Sequence, residues 1–433
     1  MYSNVSNEMK IMDGTVRNKK SMFPFYLIIF YLFLEYIRPH GFVPFLAYLH
    51  LPAITIILIL FSMLFSKYLY LKDKQTILFL ILLSEMVIHG PIAFNNYWAF
   101  QMFYIMAGLF IVYLGIVNIV NTDFKYYRLI NFWLIIFLFL SIIGITKKGV
   151  GMGGFLGDEN DFCMTLNMGL PFALFGIFSA HKIFVKIFFI ILICLMLSSI
   201  LTYSRGGFIG LVAVTIYCWV ISNKKIALAT IIGFFIAFAL FIAPPSYWER
   251  VQTITTESQN LETQSGTGSA RVYSWKLGWH LFLNNPIIGV GQGNFPWRAG
   301  EAEDEKGVLW KTRSLKGRVA HSLYFTLLPE LGLVGILIFV TMIICSLKDL
   351  KFIKKATKSS TDIFSKEEGK KIYYLALALE GGLVGFLASS VFISTFYYPN
   401  FWILCGFIVS LKKIVSAKCG DMNLAHPNPA TIN

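Results

Sequence analysis

"IFFIILICLMLSSILTYSRGGFIGLVAVTIYCWVI", residues 187–221, is apolar on both sides of one short polar step that holds Arg205. An arginine at the centre of a bilayer-spanning helix costs about 2.5–3.5 kcal/mol on insertion scales. Either the bilayer ends at Arg205, or the residue faces something worth that cost. The first reading makes two membrane spans of the stretch, 183–203 and 206–222, with Arg205 at a membrane surface.

Working outward, runs of about 20 apolar residues recur near 23–37, 43–66, 76–94, 98–120, 129–146, 160–180, 226–244, 320–346, 372–394 and 397–411. With the first two, that makes twelve. The 433-residue chain is 56% hydrophobic and 14% charged, with a mean hydropathy of +0.66. These values exclude a soluble multidomain protein and predict an all-α polytopic membrane protein. The basic start (Lys10, Arg17, Lys19, Lys20) precedes an apolar run that ends in Glu35 and Arg38 without a small-residue cleavage site, so it reads as an uncleaved first span. The six cysteines lie in spans, at their ends or in the tail, with no metal or disulfide spacing.

Orientation follows from the basic residues. With the N-terminus inside, the inner segments carry 24 of the 37 Lys plus Arg, and the short outer connections carry almost none. The chain then divides into a cytoplasmic tail (1–22), spans one to nine (23–244), an outer loop (245–319), spans ten to twelve (320–411) with a cytoplasmic linker at 347–371, and a cytoplasmic tail (412–433). The net charge of +14 is mainly an anchoring signal and argues against nucleic-acid binding.

The two cations divide differently. On this topology 22 of 28 lysines are inside, whereas seven of nine arginines lie outside or at outer span ends: Arg38, Arg205, Arg250, Arg271, Arg298, Arg313 and Arg318. A topology signal alone does not sort Arg from Lys. The guanidinium fork holds phosphate or carboxylate with two bonds, so the outer face is a candidate anion site. Pairing with the loop's own acids is the competing account for Arg250, Arg298 and Arg313. It is weaker for Arg205, whose short loop has no acid.

In the outer loop, "TESQNLETQSGTGSA" is polar and Gly/Ser-rich and reads as mobile. "SARVYSWKLGWHLFLNNP" reads as a helix, with Ser269 a candidate cap and "NNP" its stop. Arg271, Trp275 and Trp279 share one face, as suits a bilayer interface. "IIGVGQGNFPW" lacks a nucleotide-binding context and reads as a glycine turn. Arg318 and His321, three apart, would share a helical face at the start of span ten, and adjacent arginines would keep His321 neutral and able to accept a proton. "GDEND" (157–161) is either a helix cap at Asn160 or Asp161 or a divalent-cation cluster, with capping preferred. "EYIRPH" (35–40) offers an i,i+3 pair between Glu35 and Arg38, with a site role as the alternative.

In order, these motifs are "SRGG" (204–207), "RVYSW" (271–275), "NPIIGVGQGNF" (285–295) and "HSLYFTLLPELGLVG" (321–335). The set resembles the O-antigen ligase family of ligases, Wzy-type polymerases and O-linked oligosaccharyltransferases. Ser322 departs from the Asn that often follows the histidine, which puts a supporting hydrogen bond in doubt. The resemblance implies a GT-C-like glycosyltransferase in the bacterial cytoplasmic (inner) membrane. It would take a glycan from undecaprenyl pyrophosphate outside that membrane, with neither metal nor other cofactor, and pass it to glycan, lipid A core or protein. Carried over residue by residue, it implies Arg205 and Arg271 as donor-binding residues, with Arg318 as a third, and His321 as the base. Trp275, Trp279, Trp297 and Arg38 are candidate glycan or interface contacts. A lipid-linked glycan transporter or flippase is the rival. Its usual marks, two similar halves and acids deep in the membrane, reduce here to Glu85 and Glu380, with Glu330 nearer the outer end of span ten.

Overall fold

The structure is a computed structural model. It describes residues 22–65, 69–200, 204–243, 267–306, 314–359 and 363–420, with Pro245, Trp248, Glu249 and Gln252; the side chains of Ser199, Arg205, Thr267, Glu305 and Lys306 are not included. The expectations for residues 1–21 and 421–433 of the tails, for the polar stretch 253–266 and for Arg250 and Arg313 lie outside the described residues, whereas 412–418, expected in the cytoplasmic tail, continue the last helix.

The described residues form helices and no strand. In chain order the main helices are α1 (Phe23–Leu32), α2 (Leu51–Leu64), α3 (Lys74–His89), α4 (Asn96–Ile119), α5 (Asp123–Thr146), α6 (Glu159–Ser179) and α7 (Ile183–Ile200). They continue as α8 (Arg205–Ile221), α9 (Lys225–Ile242), α10 (Thr267–Asn284), α11 (Phe295–Lys306), α12 (Leu323–Ser359), α13 (Lys366–Ser389) and α14 (Pro399–Lys418). Each of the twelve apolar runs becomes a helix. Eight candidate spans among the described residues are long and apolar enough to cross a membrane. The runs at 43–66, 183–203 and 206–222 fold as shorter apolar helices, and the first run is a ten-residue α1 that passes into a π turn over Phe33–Ile37.

Two helices form the centre of the bundle. Every residue from Asp161 to Gly176 of α6 and from Pro399 to Leu411 of α14 is buried, as helices apolar all round must be. Small residues let the neighbours close on α6. A Cβ at Gly381, Gly382 or Gly385 of α13 would come within 2.7–2.9 Å of Pro171, Met168 or Asn167, so these helices meet almost backbone to backbone. At the far side α9 buries only Leu228 and Phe235.

The polar chain joining α9 to α12 has a small core of its own, with Leu277 and Leu281 of α10 against Phe295, Ala299, Ala302 and Ala320. Helix α12 runs on past the expected span end to Ser359, taking up part of the 347–371 linker. Its distal half carries Lys354, paired with Glu380, and Asp349, paired with Lys412 at 2.7 Å. Nearby Lys418 joins Asp123 at 2.7 Å and also Glu368. Lysine pairs therefore tie one end of the bundle together, and His321, just before α12, sits at the other.

Candidate active site

His321 lies ahead of α12, not on it. Arg318 and His321 therefore do not share a helical face, because the helix begins only at Leu323. His321 adopts a left-handed backbone, φ 49°, a conformation that costs a non-glycine residue about 1–3 kcal/mol. Its neighbours on both sides hold it there. Trp275 Nε1 of α10 donates to the Ala320 carbonyl at 3.1 Å. Ser322, 1% exposed, caps α12 by accepting the Phe325 amide at 3.4 Å on Oγ. Serine and asparagine are equally good N-caps, so Ser322 supplies a cap where an Asn is common. The approach to His321 is fixed as well: buried Glu303 of α11 accepts the Leu315 amide at 2.9 Å and the Ser314 hydroxyl at 2.7 Å, and the Gly317 amide donates to Pro296 O at 2.7 Å.

His321 opens into a cavity of about 990 Å³. One wall is apolar, formed by Pro52, Ala53, Ile56 and Ile57 of α2 and by Ile105 and Leu109 of α4. The other end is polar and includes Asp158, Asn160, Asp161, Glu330, Tyr397 and Tyr398. The imidazole pKa is lowered, first by the cavity walls that strip water from the ring and then by Arg271, with Arg318 adding to this and Asp158 opposing it. The ring is thus held neutral and ready to accept a proton.

The SRGG segment meets this end through hydrogen bonds. Ser204 donates to Asn160 Oδ1 at 2.9 Å and accepts the Gly207 amide at 2.9 Å, capping α8. Asp158, rather than Asn160 or Asp161, caps α6, by accepting the Asn160 amide at 2.8 Å. The capping reading of "GDEND" therefore stands, two residues earlier than one of its candidates. Asp161 accepts from the Tyr398 hydroxyl at 3.0 Å. Among the described residues no three His, Cys, Asp or Glu come together as metal ligands. Arg205 is the first residue of α8; its side chain lies outside the described residues.

The glycine segment interlocks with the start of α12. Pro329 and Gly332, φ 58° and ψ −155°, kink that helix and free backbone groups that the segment pairs. Val290 and Gly291 amides donate to the carbonyls of Pro329 and Glu330 at 2.8 and 2.9 Å, and Leu333 and Val334 amides donate back to Pro286 and Ile287 at 2.9 and 3.1 Å. Glu330, 2% exposed, locks the join: its carboxylate accepts the Gly293 and Phe295 amides at 2.8 and 3.1 Å and the Tyr397 hydroxyl at 2.5 Å.

The other expected site residues are dispersed. Arg271 is half-buried on α10 and acts on His321 through its charge. Arg318 is exposed, between Gly317 and Val319 of the cavity wall. Trp275 stacks on Phe325 at 5.3 Å and leans on Phe392, so its ring and its N–H are both engaged within the protein. Trp279, 47% exposed, touches Phe282, while Trp297 lines the cavity. Arg298 pairs with Glu301 at 2.9 Å, in keeping with the loop-acid account. Arg38 also lines the cavity. Among the described residues no ion pair joins it to Glu35, because the π turn and the left-handed Arg38 (φ 53°) break the helical register that an i,i+3 pair requires. Of the acids expected deep in the membrane, Glu380 is satisfied by Lys354 and the Tyr217 hydroxyl, whereas both carboxylate oxygens of Glu85 are buried without a hydrogen-bond partner. Tyr397 and Tyr398 went unforeseen; the "YYPN" tetrad that precedes an apolar run carries no recognisable catalytic pattern.

The fold and cavity define a polytopic helical membrane protein with one chamber that joins an apolar wall to a histidine-bearing polar end. Residues 164–340 match the family model of O-antigen ligase (Wzy_C), the family that the motifs resemble, and the match spans the SRGG, RVYSW and glycine segments and the whole kink of α12. Residues 164–340 are therefore similar to the O-antigen ligase family. No curated protein matched the chain.

Proposed function

We propose that this protein is an inverting, metal-independent glycosyltransferase of twelve spans in the bacterial cytoplasmic membrane, with both termini cytoplasmic. It moves a glycan from an undecaprenyl-pyrophosphate donor to an acceptor hydroxyl at the outer face, as a ligase or polymerase of surface polysaccharide. The observation that carries this reading is the cavity that is lined both by an apolar wall and by polar residues with His321. A lipid-linked sugar has that same polarity sequence: tail, pyrophosphate, glycan. The lysine pairs at the opposite end of the bundle support the orientation.

In this reaction His321 takes the proton of the acceptor hydroxyl. The hydroxyl oxygen bonds to the anomeric carbon, and the bond from that carbon to the pyrophosphate breaks on the opposite face, its electron pair leaving with undecaprenyl pyrophosphate. Direct displacement needs one base and no covalent intermediate. Arg205, Arg271 and Arg318 stabilise the charge on the leaving group, as fixed cations do for a developing anion. The acceptor is a glycan, lipid A core or a protein hydroxyl.

The test uses purified protein, a synthetic undecaprenyl-pyrophosphate oligosaccharide and a chelator. Release of undecaprenyl pyrophosphate with glycan lengthening identifies a polymerase. Release only when lipid A core or protein is added identifies a ligase or oligosaccharyltransferase. Absence of release with all three acceptors, or normal release by His321→Ala, would sink the proposal and favour a lipid-linked glycan flippase.

A further inference from the structure

The cavity contains a cation that none of the motifs includes. Arg38 is the one arginine among the described side chains that lines it, and no described lysine does. Its Nε is buried with no hydrogen-bond partner, and Glu35 beside it forms no ion pair with it. Leaving a buried guanidinium N–H without a partner costs free energy, and Glu35, which lines the same cavity, acts on Arg38 only through its charge, so the guanidinium is suited to an anion that enters the cavity.

The fold also holds Arg38 in place. It follows the π turn in a left-handed conformation, and its guanidinium lies flat against Gly154: a Cβ there would fall 2.3 Å from Nη1 and 2.4 Å from Cζ. Gly154 itself has φ 58°, so both conformation and space demand glycine. Only Gly154 to Gly157 separate this contact from Asp158 at the polar end. On the other side α1 packs against α2, the apolar wall. Arg38 is thus tied through Gly154 to the segment that leads to Asp158 and through α1 to the helix that forms the apolar wall, a place suited to the join of a polyprenyl tail and its phosphates.

We infer that Arg38 is a ligand for the pyrophosphate of a polyprenyl-linked donor, held through its guanidinium where that lines the chamber. The inference rests on the transferase reading above. A planar fork grips phosphate through two parallel bonds, and the absence of a Cβ at Gly154 leaves the guanidinium room beside the backbone where it lines the chamber.

Binding measured without turnover tests it. In the His321→Ala background, full-length protein in nanodiscs is titrated with undecaprenyl pyrophosphate, undecaprenyl phosphate, undecaprenol and free pyrophosphate. Adding Arg38→Gln should weaken undecaprenyl pyrophosphate by about tenfold or more, weaken the monophosphate less and leave undecaprenol unchanged. Arg38→Lys should restore binding only in part. Gly154→Ala, which displaces the guanidinium, should act in the same direction as Arg38→Gln, which guards against a folding defect in one variant. If Arg38→Gln binds undecaprenyl pyrophosphate as its parent does, or loses undecaprenol equally, the inference fails while the transferase reading stands. If free pyrophosphate binds as tightly as the lipid-linked form, the site belongs to a soluble anion and the inference also fails. If the parent binds none of the lipids, both fall together.

Discussion

Trp275 donates its indole N–H to the carbonyl of Ala320 at 3.1 Å, one residue before His321 and across the turn from the cap at Ser322. A tryptophan that looks like a sugar platform or an interface anchor in the sequence is, in the fold, a strut beneath the proposed base.

Trp275→Phe should therefore keep the stack on Phe325 and lose the strut. A neutral hydrogen bond contributes about 1 kcal/mol to stability, so the protein should still fold and melt only slightly earlier. Misplacing a reacting group by about 1 Å costs on the order of a hundredfold in rate. We expect kcat to fall by about tenfold to a hundredfold with KM for the donor little changed. A KM effect with normal kcat would instead assign Trp275 to glycan binding.

Glu330 joins two motifs that the sequence places well apart, since it accepts the Gly293 and Phe295 amides and the Tyr397 hydroxyl. Glu330→Ala leaves the buried Phe295 amide and the partly buried Gly293 amide and Tyr397 hydroxyl without their acceptor. At about 1–3 kcal/mol for a buried unsatisfied group and less for the two partly buried ones, the loss should be about 2–4 kcal/mol, read as a marked drop in detergent melting temperature and in yield of monodisperse protein. Glu330→Gln keeps an acceptor oxygen and should recover much of this. Equal behaviour of the two variants would show that the charge, and not the join, is what matters.

What could be read in advance, and what could not, follows from the range of the interactions. Helices α1 to α9 and α12 to α14 follow from apolar run length, and α10 from its cap and stop signals, which are local; the polar α11 (Phe295–Lys306) follows from neither. The placing of Arg205 at a helix start is local too, since Ser204 caps and the glycines fit against Asn160 and Cys163. Asp158 was passed over as the cap of α6 in favour of the next polar residues, although its extended backbone decides the matter. The Glu330–Tyr397 bond, the pairing of 286–291 with 329–334 and the seat of Arg38 on Gly154 join residues with no periodic relation, so no pattern announces them. Two of the twelve runs, 23–37 and 43–66, form helices shorter than their apolar stretches, because a π turn interrupts the first and Pro44 and Pro52 divide the second.

Gly332 provides a test of that pairing by size alone. Its φ is 58° and a Cβ would lie 2.4 Å from the Ile287 carbonyl, so Gly332→Ala must both strain the backbone and push the glycine segment away. Gly317, φ 81°, has open space where its Cβ would go, so Gly317→Ala meets only the backbone strain of about 1–2 kcal/mol. We expect Gly332→Ala to lower the melting temperature clearly more than Gly317→Ala. Equal effects would mean that the interlock does not contribute to stability.

The charges around His321 give a prediction whose sign is fixed. The imidazole pKa lies below its ordinary value because of burial and of Arg271, with Arg318 contributing and Asp158 opposing. A base works in its neutral form, so transfer should hold level above the lowered pKa and decline as pH falls through it. Asp158→Asn removes the one carboxylate that favours the charged ring while keeping an equally good N-cap on α6, so the acid limb should shift to lower pH with the fold intact. The stability effect runs in the same direction: a histidine harder to protonate when folded binds fewer protons than the unfolded chain, so its contribution is full above the ordinary histidine pKa and is lost as pH falls from there through the lowered one. A pH–rate profile of wild type and Asp158→Asn in parallel checks this. A limb that moves upward, or does not move, would remove His321 from the role of base or Asp158 from its neighbourhood.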